Sequence, residues 1–83
     1  MNIALNEWND LIKCGNEICD TLNKKGYNVK LDQYTMYDGR KGLSLKVFDK
    51  FGNFFRDYYT GIYPYDLMKK NLYINMKKII EEC

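Results

Sequence analysis

Apolar residues at Ala4, Leu5, Trp8, Leu11, Ile12, Ile18, Cys19 and Leu22 follow the three-and-four spacing of one helical stripe and predict an amphipathic helix over residues 4–25. Asn2 and Asn6 are both competent N-caps, Glu7 and Asp10 suit the positive end of the helix, and Lys24, Lys25 and Gly26 supply late cations and a stop. Gly15 interrupts the stripe at a cost of about 1 kcal/mol relative to alanine. Its expected use is close approach, to a sheet or to a second copy of the chain.

From Tyr27 the period changes to two. Tyr27, Val29 and Leu31 share one face, and a bulge near Asp32 and Gln33 is expected to hand that face to Tyr34 and Met36. Asp38, Gly39, Arg40, Lys41 and Gly42 form a turn. Leu43, Leu45 and Val47 then alternate with Ser44, Lys46 and Phe48 as a second strand. Residues 49–53 match a type I turn closed by a glycine bulge, which returns the chain as a third antiparallel strand to about Tyr59. Thr60 and Gly61 end it, and Tyr63 and Pro64 open a last helix over residues 64–82. That helix carries Tyr65, Met68, Leu72, Met76, Ile79, Ile80 and Cys83 on one face and opposite-charge pairs such as Lys77 and Glu81 elsewhere. Leu67 and Ile74 lie off the main apolar face, where they either widen the core contact or form a partner-binding stripe. The expected fold is α+β, a single compact domain over residues 1–83 with order α-β-β-β-α, a three-stranded antiparallel meander and both helices on one face. Trp8, Leu11, Ile18, Leu45, Val47 and Ile79 are its expected core.

Phe48, Phe51, Phe54, Phe55, Tyr58, Tyr59, Tyr63 and Tyr65 crowd the third strand and its flanks. Adjacent strand residues point to opposite faces, so pairs such as Phe54 and Phe55 cannot both face inward. The surplus points to recognition, because aromatic side chains dominate binding hot spots and nucleobase stacking. If Asp49 pairs with Asn53, then Phe48 opposes Phe54, Lys46 opposes Arg56 and Ser44 opposes Tyr58, all on the face away from the helices. Two opposed cations beside aromatic rings suit an anionic partner. A slip of one residue replaces this set with Phe55, Asp57 and Tyr59, and the unslipped register turns Asp57 inward. The candidate contact therefore centres on Phe48, Phe54, Arg56 and Tyr58, with Tyr37, Arg40, Lys46 and Phe51 around it.

The chain carries a net charge of +2, spread as −1, +2 and +1 over residues 1–26, 27–62 and 63–83. No segment has the concentrated basic face of a typical nucleic-acid binder or the acidity of a DNA mimic. The start, Met1-Asn2-Ile3, lacks a basic stretch followed by an apolar run, and no apolar segment approaches the roughly 20 residues that span a bilayer. A soluble cytoplasmic protein of a bacterial host cell, without membrane partners, is expected. Cys14, Cys19 and Cys83 are odd in number and fit a reducing compartment. With no histidine in the chain, neither a metal site nor a cofactor is expected. Eleven lysines against two arginines, with many Asn, Tyr and Ile, is the bias of an AT-rich genome, as in low-GC bacteria and their phages. Ser44 is the only serine, and no glycine-rich loop or acid pair has diagnostic spacing, so no enzymatic activity is expected.

The element order resembles that of the double-stranded RNA-binding domain. That family has a Gly-Pro-x-His-like loop where this chain has Asp38-Gly39-Arg40-Lys41-Gly42, and of its lysine cluster only Lys69 and Lys70 have counterparts. In size, composition and surplus aromatics the whole chain also resembles the catalytically empty inhibitors that phages direct at bacterial defence systems, CRISPR-Cas nucleases included. That resemblance implies stoichiometric docking on a host protein or protein complex. The alternatives are a nucleic-acid-binding domain using Lys46, Arg56 and exposed aromatics, and a small-ligand sponge. Gly15, Leu67, Ile74 and the small core favour a homodimer over a monomer.

Overall fold

The computed structural model describes residues 3–62 and 64–83. Expectations resting on Asn2 and Tyr63 lie outside the described residues. The elements are α1 (Leu5–Lys24), β1 (Asn28–Thr35), β2 (Lys41–Phe48), β3 (Phe54–Tyr59) and α2 (Tyr65–Glu82), with the strands in spatial order β1-β2-β3 and both pairings antiparallel. The α-β-β-β-α meander is the expected fold.

Ala4 is the N-cap of α1, and the Glu7 carboxylate accepts its N–H at 3.4 Å. Asn6 lies inside the first turn and caps nothing. The helix ends as glycine-terminated helices do: Tyr27 N–H donates to Leu22 O, Gly26 N–H donates to Asn23 O, and Gly26 sits at φ 102°. Pro64 is the N-cap of α2, where its missing N–H costs nothing.

The core holds Leu11, Cys14, Ile18, Cys19 and Leu22 from α1, Met68, Leu72 and Ile79 from α2, and Val29, Leu43, Leu45, Val47 and Tyr58 from the sheet. These strand residues share one face, so both helices cover the same side. Five of the six expected core residues are buried. Trp8 is the correction: it is only partly buried at the cluster's margin, with the Lys41 ammonium 5.9 Å from its ring centre. Gly15 is used within the chain, because a Cβ there would stand 2.7 Å from Leu31 Cδ1. Close approach of α1 to β1 explains the glycine, and one of the three sequence arguments for a second copy disappears.

The expected bulge near Asp32 is absent, since β1 pairs with β2 without a break from Asn28 to Thr35. Tyr34 consequently faces away from the helices and lies across Gly42, while Gln33 is exposed. The irregularity falls instead between Val47 and Phe48, where Phe55 is the extra residue on β3. Asp49 still pairs with Asn53 and Phe48 with Phe54, but beyond the bulge Val47 opposes Arg56, Lys46 opposes Asp57 and Leu45 opposes Tyr58. The reason is energetic. An unbroken ladder would bury the Asp57 carboxylate under the helices, and the bulge buries the Tyr58 ring there instead.

Candidate functional site: the open sheet face

Lys30, Asp32 and Tyr34 of β1, Ser44, Lys46 and Phe48 of β2, and Phe54, Asp57 and Tyr59 of β3 line the sheet face opposite the helices. Among the described residues no helix or strand packs over it. Tyr34 and Tyr59 meet edge to face, with ring centres 5.3 Å apart, and Phe48 and Phe54 do the same at 6.2 Å. Partial burial pushes the Tyr34 hydroxyl pKa up from its ordinary value. Phe54 and Tyr59 remain 56% and 58% exposed, more than packing alone requires of residues inside a strand.

Lys46 stands between the two aromatic pairs. Its ammonium lies 3.3 Å from Asp57 Oδ1, 3.7 Å from Asp32 Oδ2 and 5.4 Å from the Phe54 ring centre. The Asp57 contact first, and the Coulombic pull of Asp57 and Asp32 after it, hold the Lys46 pKa above the ordinary lysine value. The contact with Asp57 Oδ1 is an ion pair without hydrogen-bond geometry, and Asp57 Oδ2 accepts the Tyr59 hydroxyl at 3.0 Å. Lys30, directly opposite Lys46 on β1, has its ammonium 5.3 Å from the Phe48 ring centre and belongs to no ion pair among the described residues.

The structure brings together Lys46, Phe48 and Phe54 of the expected set, with Phe51 exposed at the tip of the β2–β3 turn beyond them. It removes Arg56 and Tyr58, both of which reach under the sheet to the end of α2. Arg56 Nη1 and the Tyr58 hydroxyl both donate to Glu82 Oε1, at 2.8 and 2.9 Å. Burial first, and the bond to Glu82 second, push the Tyr58 pKa up to about 12. Tyr37 and Arg40 occupy the β1–β2 turn at the other end of β2, about 25 Å from Phe51 at 3.3 Å per strand residue. They cannot ring the same contact centre. Arg40 is also tied locally, its Nε donating to Asp38 Oδ2 at 2.7 Å. The opposed Lys46 and Arg56 pair does not exist; Lys46 faces Lys30 and Asp57.

Sequence reasoning missed Tyr34, Lys30 and Asp32, and reached Asp57 and Tyr59 only through the slipped register. Gly42 carried the signal for Tyr34, because a glycine within a strand marks close approach by another group. Lys69, one half of the lysine pair that resembled an RNA-binding cluster, is bound within the molecule. It donates to Asp10 Oδ2 at 3.0 Å and to the Tyr65 hydroxyl at 3.3 Å, and Tyr65 itself donates to Asp10. These bonds, that to Asp10 first, raise the Lys69 pKa well above the ordinary lysine value.

Fold and face together define a small α+β domain with an uncovered aromatic sheet. Comparison of the chain with family models, with curated proteins and with solved structures finds no match. Among the described residues no helix is long and apolar enough to cross a membrane.

Proposed function

We propose that the protein is a non-catalytic binding module that docks its open sheet face on a host protein, in the manner of the compact inhibitors that phages and other mobile elements direct at CRISPR-Cas and other defence components. One observation carries the reading: Tyr34, Phe48, Phe54 and Tyr59 form two edge-to-face pairs on a sheet face that no helix or strand among the described residues covers. Rigid, partly exposed aromatics on strands give large contact area at small entropic cost, as binding hot spots require. Pairing of Lys46 with two carboxylates favours a protein partner over nucleic acid, because little unneutralised charge remains at the centre of the face.

Affinity capture from a bacterial lysate, followed by titration of the purified partner, tests the proposal. Phe54→Ala and Tyr59→Ala should each weaken binding about thirtyfold, the loss of roughly 2 kcal/mol typical of a hot spot. Lys77→Ala and Arg56→Ala should stay within about threefold. If changes at Lys77 and Lys78 abolish binding while the face variants bind normally, the open face is not the contact. A captured nucleic acid, with affinity falling steeply as salt rises, would replace the protein partner.

A further inference from the structure

The two edges of the sheet are treated differently. Met36 N–H donates to Arg40 O, and the register runs unbroken from there, so the even-numbered residues of β1 direct their backbone groups at β2 and the odd-numbered ones direct theirs outward. Of the outward residues, Val29 is closed by the Asn23 carboxamide, which bonds both its N–H and its C=O. The N–H and C=O groups of Leu31, Gln33 and Thr35 have no partner among the described residues. On the other side β3 has 6 residues against 8 in β1, carries the bulge, and has the carbonyls of Tyr59 and Thr60 bonded by Asn75 and Asn71. Those are the devices that protect an edge, and residues 31–35 have none of them.

This free window fits a copy of itself. A second β1 laid antiparallel, with a two-fold axis through Gln33, sets Leu31 against Thr35 of the second copy and Gln33 against Gln33 of the second copy, and every outward N–H of the window meets an outward carbonyl. An axis at Leu31 calls on Val29, which Asn23 already fills, and leaves Thr35 unpaired. An axis at Asp32 opposes two aspartates, and one at Tyr34 leaves Leu31 unpaired. With the axis at Gln33 no like charges are opposed, because Asp32 lies across from Tyr34 of the second copy and Lys30 across from Met36 of the second copy. The Asn23 caps then stand just past the two ends of the ladder.

The helix above this edge leaves an apolar margin along the same window. Gly15 lies against Leu31, and Trp8 lies by Lys41, whose strand partner is Thr35. Trp8, Ile12 and Gly15, spaced four and three apart, therefore run along β1 from Thr35 to Leu31. Trp8, Ile12 and Leu31 are only partly buried. The two-fold axis sets this margin beside its own copy.

From this arrangement we infer that β1 is the interface of a symmetric dimer, in which two sheets join edge to edge through Leu31, Gln33 and Thr35, with the helices of both copies on one side and both aromatic faces on the other. The aromatic faces stay uncovered, so the dimer is independent of the docking reading and presents two docking faces side by side.

Sedimentation velocity and amide exchange test the interface, and a charge swap tests the axis, where residue 33 alone opposes itself. Between about 5 and 500 µM the protein should pass from one chain mass to two. The N–H groups of Leu31, Gln33 and Thr35 should exchange at least about tenfold more slowly at the upper concentration, while those of Lys30 and Asp32, already bonded to β2, change little. Gln33→Glu and Gln33→Lys, at an exposed position, should each weaken association about tenfold, and their equimolar mixture should restore it as a one-to-one pair, which also shows that both variants fold. A single chain mass at about 500 µM overturns the dimer. Variants that associate like the parent chain, or a mixture that does not recover, overturn it equally, as does a dimer lost on Leu67→Glu or Ile74→Glu and kept in both Gln33 variants. Should the edge amides become protected only with a captured host protein, a foreign strand takes the edge and the second copy does not. A monomer that still captures its partner through Phe54 and Tyr59 ends the dimer and leaves the docking face standing.

Discussion

Gly42 and Tyr34 show how one missing side chain shapes the open face. A Cβ at residue 42 would overlap the Tyr34 ring, so glycine is what lets that ring lie flat across β2 and meet Tyr59 edge to face. Gly42→Ala should destabilise the domain by about 1 to 3 kcal/mol, since the ring must move and its pairing, worth about 0.5 to 1.5 kcal/mol, is lost. In a Tyr34→Ala background the same change should cost less than about 0.5 kcal/mol, because nothing remains to be displaced. Chemical denaturation of the four proteins of this cycle measures the coupling. Equal costs in both backgrounds would show that Tyr34 does not depend on the glycine.

Elements are joined here by asparagine side chains acting as partners for strand edges. The Asn23 carboxamide accepts the Val29 N–H at 2.8 Å and donates to Val29 O at 3.1 Å, filling on β1 the place a neighbouring strand would take. On the other edge, Asn75 donates to Tyr59 O at 3.0 Å and Asn71 donates to Thr60 O at 2.8 Å. Capping of this kind blunts the template that a bare edge offers to other chains. Asn23→Ala should cost about 1 to 2 kcal/mol, the value of two partly exposed hydrogen bonds, and should raise the tendency to aggregate on heating. A loss under about 0.3 kcal/mol in denaturant would mean that water replaces the carboxamide without penalty.

Across the whole molecule, ionised side chains tie parts that are distant in sequence, and they set two pH limits. Bonds from Tyr65 and then Lys69 lower the Asp10 pKa and join α1 to α2, while the Asn53 N–H first, and then that of Phe51, lowers the Asp49 pKa and closes the β2–β3 turn. Carboxylates with depressed pKa stabilise the fold above their unfolded value, near pH 4, and that contribution is lost as pH falls through the lower folded value. Tyr58 and Lys69 have raised pKa values, so their contributions are complete below about pH 10 and are lost as pH rises through the folded values, about 12 for Tyr58. Melting temperature should therefore form a plateau between about pH 5 and pH 9 and fall on both sides. Asp49→Asn should flatten part of the acid limb and Tyr58→Phe part of the alkaline limb. Unchanged limbs in these variants would assign the pH limits to other groups.

Strong local signals made the fold legible in the chain itself. Two helical stripes, the glycine stop at Gly26, the alternation of Leu43, Leu45 and Val47, and the turn at Asp49 each depend on a few neighbouring residues, so the sequence alone determined the elements, their order and most of the core. It also determined that aromatic surface would be left over. Which aromatics those are was decided only in three dimensions, because the facing of a strand residue has a period of two and a single inserted residue reverses it. The bulge at Phe55 exchanged Arg56 and Tyr58 for Asp57 and Tyr59, and the unbroken β1 ladder turned Tyr34 outward. Both outcomes follow from what the helices cover: the space beneath them accepts the Tyr58 ring and excludes the Asp57 carboxylate, a preference that arises only once the layers have packed.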